Sequence, residues 1–385
     1  MPWQEVCPMD EKQRFIAALI AGDESVSAIC EEFGISRKTG YQLWQRYQAQ
    51  GAAGLAPRSR APHVVPWAIP EAVAEAIIAL RRAHPSWGPK KLRAKLRERA
   101  AAQSWPALST IGELVRRAGL SQVRKRRRYA PPNVCPLRIA VLPNDVWCID
   151  FKGWFRTGDG ARCDPLTVSD AFSRYLLCIK VVAAPGYADC RSALERVFRE
   201  YGLPRAIRSD NGAPFASVGA AGLSRLSLWW VKLGIAPERI APGKPEQNGR
   251  HERMHRTLKA ECANPPAASG AAQQRRFDQF RAEFNQQRPH EALGQTPPAK
   301  HYAPAQRSYP ARIADPVYPC DYQLRRVRSN GEIKWQGEMV FIGQALIGEV
   351  IGLRETDEGD AEVYFGPISL GLLDAITLKL NRGPR

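Results

Sequence analysis

No stretch of this 385-residue chain approaches 18 uninterrupted apolar residues, so a membrane-spanning helix is not expected. The opening MPWQEVCPMDEKQRF also lacks the apolar run and small-residue cleavage site of a secretory leader, which points to the cytoplasm. Nine cysteines lie between Cys7 and Cys320 without a single C-x-x-C pair. That excludes the usual zinc-finger half-site and suits buried thiols in a reducing compartment. No internal repeat is present, so a solenoid is excluded. Acidic residues are scarce over residues 81–128, where only Glu98 and Glu113 face 15 Lys and Arg, a net of +13.

What is present points the same way. A hydrophobic content of 44% supports packed cores, and the length suggests two to four domains. Lys and Arg exceed Asp and Glu by 56 − 38 = 18, with 42 arginines against 14 lysines. A charge so placed is the footprint of a nucleic-acid binder, because each neutralised phosphate releases counterions.

Residues 1–56 carry three helical patterns. DEKQRFIAALIAGD is followed by SVSAICEEFGISRKTGYQLWQRYQAQG, with Ser25 and Ser36 as N-caps around a turn at Gly34. Helix, Gly-containing turn and helix form a helix-turn-helix, whose second helix leads into the major groove with its N-terminus. Arg37, Lys38, Thr39 and Gln42 are the candidate groove contacts. A proline-rich linker at residues 57–70 precedes a second helical set over 69–128: EAVAEAIIALRRAH, PSWGPKKLRAKLRERAAA and STIGELVRRAGL, the last capped by Ser109. Lys90 and Lys91, and the trailing run Arg124, Lys125, Arg126, Arg127 and Arg128, are its candidate DNA contacts. His84, Trp87 and Gly88 look structural.

From residue 140 the texture becomes mixed α/β. VWCIDFKGWF, PLTVSDAFSRYLLCIKVVAA and PRAIRSDNGAPF are β-rich, with helical SALERVFREYG between them, and helices follow from His251 and over FDQFRAEFNQQ. Residues 301–320 form a proline-rich linker. From residue 321 to 385, short alternating runs separated by glycine or charged turns predict a small all-β barrel.

Two acids sit where strands deliver side chains to an edge: Asp150 at the end of VWCID and Asp210 before NGAPF. A third carboxylate converging on them would suit two Mg²⁺ ions clamping an in-line phosphoryl displacement. With WCIDFKGWF, RSDNGAPF, GKPEQNGRHERMHRTLKAE and FNQQRPHEALGQTPPAKHY in this order, the chain resembles the integrase-type DDE transposases of bacterial insertion sequences, closest to insertion-sequence family four-eighty-one. The resemblance covers nearly the whole chain. It implies tandem helix-turn-helix domains, a catalytic core of RNase H type over 140–300, and Asp150, Asp210 and Glu252 as a triad binding two Mg²⁺ ions, with Mn²⁺ able to substitute. It also implies binding of terminal inverted repeats in double-stranded DNA, cleavage at element ends and joining of 3′-hydroxyls to target DNA. Two ends must be held together, so at least a homodimer on nucleoid DNA is expected. Rival readings are a catalytically silent DNA-binding regulator and a metal-dependent nuclease without joining activity.

The spacing common among related integrases selects Glu246 as third ligand, since 246 − 210 = 36. Glu252 is preferred because PGKPEQNG disfavours helix, while Glu252 lies in the helix that follows, in the pattern P-x-x-N-G-x-x-E formed by Pro245, Asn248, Gly249 and Glu252. Residues 216–227 could absorb the extra length. The same helix contains HERMH, which matches the zinc-protease pattern H-E-x-x-H. Its third ligand is missing, because Leu258 stands where the extension has glycine, and Arg250, Arg253 and Arg256 would crowd a zinc ion. Glu252, Arg256 and Lys259 instead fall at i, i+4 and i+7 on one face, a carboxylate followed by two phosphate contacts. Of the remainder, Asp145, Asp164 and Asp170 are expected at turns or strand ends, Trp147 and Phe151 in the core, Asn211 as a brace of the Asp210 turn, and Arg288, Pro289 and His290 in positional roles.

Overall fold

The computed structural model describes residues 8–58, 68–121, 137–241 and 249–381. The chain divides into two compact units, Met1–Ala68 and Ile69–Arg385. Among the described residues no helix is long and apolar enough to cross a membrane. Six of the seven described cysteines are buried, and Cys320 is exposed.

The first unit is a bundle of α1 (Pro8–Ala21), α2 (Val26–Glu32) and α3 (Arg37–Gln50). Both expected serine caps are present: Ser25 Oγ accepts from the Ala28 N–H and Ser36 Oγ from the Thr39 N–H. Phe15, Ile16, Ile29, Cys30 and Leu43 fill the core. A Cβ on Gly40 would stand 2.4 Å from Cys30 Sγ, so a residue without a side chain lets α3 approach α2.

The second unit begins with α4 (Glu71–Ala83), α5 (Pro89–Arg99) and α6 (Leu108–Arg117), packed around Ile77, Trp87, Leu92 and Ile111. His84 stacks on Trp87 with ring centroids 3.9 Å apart, as suits a structural role. Ser109 is not the cap expected of it. The helix starts at Leu108, the Ile111 N–H bonds the Ala107 carbonyl, and Ser109 sits inside the first turn.

Next comes a mixed sheet of β1 (Val146–Phe151), β2 (Phe155–Arg156), β3 (Arg162–Asp170), β4 (Leu176–Val182), α7 (Tyr187–Tyr201) behind it, β5 (Ala206–Ser209), α8 (Arg225–Lys232) and β6 (Ala236–Arg239). β3 pairs antiparallel with β1, β2 and β4, while β1, β5 and β6 run parallel. Trp147, Ile149, Leu166 and Val168 pack against α7 and α8. The opposite face is covered by α9 (Gly249–Cys262) and α10 (Gly270–Gln286), through Met254, Leu258, Phe277 and Phe280. Because strand side chains alternate, Asp150, Thr167 and Ser169 belong to the face that α9 covers.

Residues 301–320 are bound to the core rather than acting as a free linker. Tyr302, Tyr309 and Ile313 pack on the α7–α8 side, and Arg307 donates to the carbonyls of Pro204, Leu233 and Gly234. The C-terminal region holds β7 (Gln323–Arg326), the hairpin β8 (Glu332–Trp335) and β9 (Glu338–Phe341), β10 (Val350–Glu355), β11 (Ala361–Phe365), β12 (Ile368–Leu373) and β13 (Leu380–Asn381). Among the described residues this is an open sheet in the order β13-β12-β11-β10-β7 plus the separate hairpin, not a closed barrel. β8 reaches β7 through the Arg325 side chain, which donates to the Lys334 carbonyl at 3.1 Å, in place of a strand ladder. Apolar side chains of sheet and hairpin share one core with Leu223, Leu228 and Val231 of the α8 region.

Candidate active site

β1 and β5 are neighbours in parallel register, Cys148 opposite Arg208. Two residues further along the chain in each case, Asp150 lies near the end of β1 and Asp210 directly after β5, close enough for the Asp210 charge to act on Asp150. The Asp210 turn is fixed by its own backbone: Oδ1 accepts from the Gly212 N–H at 3.2 Å, and Asn211 donates to the Ile240 carbonyl at 2.7 Å. Asn211 therefore braces this turn against the residue after β6. A groove of about 1550 Å³ opens beside it, lined by Asn211, Phe215 and Arg239 and, from the C-terminal sheet, by Glu362 and Leu370.

Asp150 is a strongly perturbed acid. Burial pushes its carboxyl up to about 7, and the charges of Asp210 and Glu252 push in the same direction, against the Phe151 N–H and Lys152. Asp210 and Glu252 are thus both within electrostatic reach of Asp150. Among the described residues, no three His, Cys, Asp or Glu side chains are drawn closely enough together to form a metal site as they stand.

α9 divides the HERMH segment between two faces. His251, Met254, His255 and Leu258 are buried, while Glu252, Arg253, Arg256 and Lys259 are exposed. Thr167, directly opposite Asp150 in the β1–β3 register, is the hub beneath the helix. Its hydroxyl donates to the Asp150 carbonyl at 3.0 Å, and both His251 Nε2 and His255 Nε2 lie 2.7 Å from its oxygen. With its single hydrogen committed to that carbonyl, Thr167 accepts from both rings, so each carries its proton on Nε2. His251 Nδ1 then accepts from Ser169 Oγ at 2.8 Å. Burial lowers the two imidazoles to about 3 and about 2, so both are neutral hydrogen-bonding members of the core. His255 Nδ1 also lies 3.8 Å from the Asp150 carboxyl, which ties the buried face of α9 to β1.

Lys152 was missed as a site candidate from sequence. It is half-buried and within electrostatic reach of Asp150, Asp164 and Lys259, so it brings a cation to the edge of the carboxylate cluster. The signal available was its place two residues beyond Asp150, directly after the end of β1.

Arg37, Lys38, Thr39 and Gln42 are all exposed at the N-terminal end of α3, joined there by exposed Tyr41. Lys90 and Lys91 have a different setting. Lys90 pairs with Glu291, and Lys91, lowered to about 8 by burial and by Arg288, lies among Glu261 and Glu291. Arg288 bonds Glu261 at 3.0 Å and Ser86 at 3.3 Å, and His84 meets Glu283 at 2.8 Å, so this end of the second helical set is fastened to α9, α10 and the turn after it. Arg116 and Arg117 on α6 are exposed and both bound by Glu113, and Arg82, Arg97 and Arg99 of the same set are exposed as well. Arg124, Lys125, Arg126, Arg127 and Arg128 lie outside the described residues, as do Pro245, Glu246 and Asn248.

Asp145, Asp164 and Asp170 are buried acids with structural partners. Asp145 accepts from the Val141 and Leu142 N–H groups, Asp164 pairs with Arg162, and Asp170 caps its hairpin through Asn144 and Ser173.

The helix-turn-helix domain family matches residues 11–63, the homeodomain-like domain family residues 39–115, and two integrase core domain families residues 140–245 and 233–298. Residues 322–380 match the C-terminal domain of the IS481 family transposases. The insertion element IS476 39.2 kDa protein of Xanthomonas euvesicatoria is 31% identical over 276 residues, spanning 70% of this chain and 76% of its own length. The chain belongs to the IS481 family of integrase-type transposases. A second relative of this transposase, the insertion element IS407 31.7 kDa protein of Burkholderia multivorans, is 34% identical over 202 residues, 51% of this chain and 70% of that one. Among solved structures, the HTLV-2 integrase catalytic core domain aligns with 42% of the transposase and 98% of its own chain, at 16% identity and a TM-score of 0.31.

Proposed function

We propose that this transposase binds the terminal inverted repeats of its insertion sequence, cleaves the phosphodiester at each element end and joins the freed 3′-hydroxyls to target DNA. The observation that carries this reading is that Asp150 near the end of β1 has Asp210, just past the adjacent β5, and Glu252 of α9 close enough for both charges to act on it. Carboxylates offer the hard oxygen donors that Mg²⁺ takes, and a buried Asp150 repelled by two acids favours a cation nearby. Asp150, Asp210 and Glu252 are the residues that would hold two Mg²⁺ ions, with Mn²⁺ as a substitute. Such ions, when bound, stabilise the charge developing on the attacking and leaving oxygens of an in-line displacement.

The chain's own groups do the rest. Lys152, Arg256 and Lys259 hold the DNA backbone beside the carboxylates, and Asn211 keeps the Asp210 turn in place. Thr167, His251 and His255 fix α9 on the sheet and so fix the height of Glu252. Arg37, Lys38, Thr39 and Gln42 enter the major groove of the element end. The run from Arg124 to Arg128 contributes phosphate contacts along the same DNA. Joining two ends calls for at least a homodimer on DNA.

The test is strand joining with Mg²⁺, a labelled duplex from the element's own end and a supercoiled target plasmid. Joined product that disappears with Glu252→Gln and persists with Glu246→Gln is the expected result. The reverse pattern moves the third ligand to Glu246. Cutting without joining makes the protein a nuclease, and binding without cutting makes it a regulator.

A further inference from the structure

Among the described residues Trp154 is the only exposed tryptophan, with 56% of its surface open, whereas Trp147, Trp229 and Trp230 of the same domain are buried. It follows Gly153, whose φ of +84° turns the chain outward after Lys152. Four residues separate Trp154 from Asp150, a reach of at most about 14 Å.

Its neighbours are cationic. The Arg162 and Arg156 guanidinium carbons lie 5.2 and 5.9 Å from the ring centroid. These two arginines are direct cross-strand partners on β2 and β3, so both project from one face of the hairpin. Like charges placed directly opposite destabilise a two-stranded ladder. Asp164 answers only Arg162, at 3.1 Å, and Arg156 spends a donor on the Gly160 carbonyl at 2.7 Å. Among the described residues Arg156 forms no ion pair. Lys152 and Lys259 extend the same positive rim toward Asp150 and Glu252.

An aromatic ring more than half exposed, with guanidiniums over it, is the chemistry that binds unpaired nucleic acid, by base stacking together with phosphate attraction. We propose that Trp154 is a stacking platform for a nucleobase unstacked from the DNA within a few nucleotides of the scissile phosphate, with Arg156 and Arg162 holding the adjoining backbone. This rests on the transposase reading above. Bases inside a duplex have both faces covered, so the ligand is a base freed at the element end or at the bent target, not an intact pair.

The experiment uses the full chain without divalent metal and duplexes of the element end with flanking host DNA, carrying 2-aminopurine singly at each position around the cleavage point. The wild type is expected to change the fluorescence at one or two of these positions. Trp154→Ala should abolish that change and reduce strand joining with Mg²⁺ by about tenfold, a loss within the range known for one stacked base. Its affinity for the duplex should stay within about threefold, because the helix-turn-helix domains remain. Trp154→Phe should restore most of the signal, which a merely structural loss would not. Unchanged fluorescence and joining in Trp154→Ala overturns the proposal and leaves the exposed ring to a protein partner. Failure of the wild type to bind the duplex overturns the transposase reading itself.

Discussion

The two faces of α9 carry the same spacing one residue apart. His251, His255 and Leu258 are buried against the sheet, while Glu252, Arg256 and Lys259 are exposed beside Asp150. One residue is about 100° of helix rotation, enough to separate a hydrogen-bonded core from a charged surface. A motif such as H-E-x-x-H acquires meaning only once the phase of its helix is known. Here the histidines bind Thr167 and Ser169, and the glutamate between them points the other way.

The largest effect should come from the exposed face. Glu252→Gln keeps shape and removes charge, so strand joining should fall by more than about a thousandfold, the scale of losing a group that stabilises transition-state charge. Its melting temperature should match the wild type, because the side chain is exposed. A parallel loss of stability would show that the two faces are not independent. On the buried face the order reverses. Thr167→Val would leave two buried imidazole N–H groups without their acceptor, costing about 3 kcal/mol of stability in urea unfolding. Thr167→Ser, which keeps the hydroxyl, should recover most of it.

The buried face also predicts a pH dependence. His251 and His255 titrate near 6.5 when unfolded, and are lowered to about 3 and about 2 in the folded chain. Below pH 6.5 the unfolded chain binds protons that the folded chain does not. Stability is therefore level above pH 6.5 and falls as the pH drops toward 3. The loss is about 2 kcal/mol per histidine by pH 5. Urea midpoints between pH 7 and 5 check this, and His251→Gln with His255→Gln should flatten the slope.

Local rules made much of this legible. Ser25 and Ser36 announce their helices because a cap depends on the next three residues alone, and the alternation of VWCID puts Asp150 on a definite side of its strand. Long-range partners were not legible. Lys90 and Lys91 resemble DNA contacts in sequence, yet Glu261, Arg288 and Glu291 come from segments 170 (261 − 91) to 201 (291 − 90) residues away. The barrel expected at the C-terminus is an open sheet with a separate hairpin, because strand count does not say whether edges meet. The 301–320 segment has linker composition, but its tyrosines find a core supplied by α7 and α8.

The smallest effect is expected from Arg256 and Lys259. Both lie on the Glu252 face, exposed and without an ion pair among the described residues. Each contact with a phosphate releases about one counterion, so removing it weakens binding at low salt and flattens the salt dependence. Arg256→Ala should weaken binding of end DNA by about fivefold, alike for every sequence, and reduce the slope of log affinity against log salt by about 1. Lys259→Ala should do less, since a lysine is a single point charge where arginine presents a fork to two phosphate oxygens. Filter binding between 50 and 200 mM salt separates the outcomes. A sequence-dependent loss would mean that Arg256 reads a base edge, and would turn the outer face of α9 from a backbone grip into part of the recognition surface.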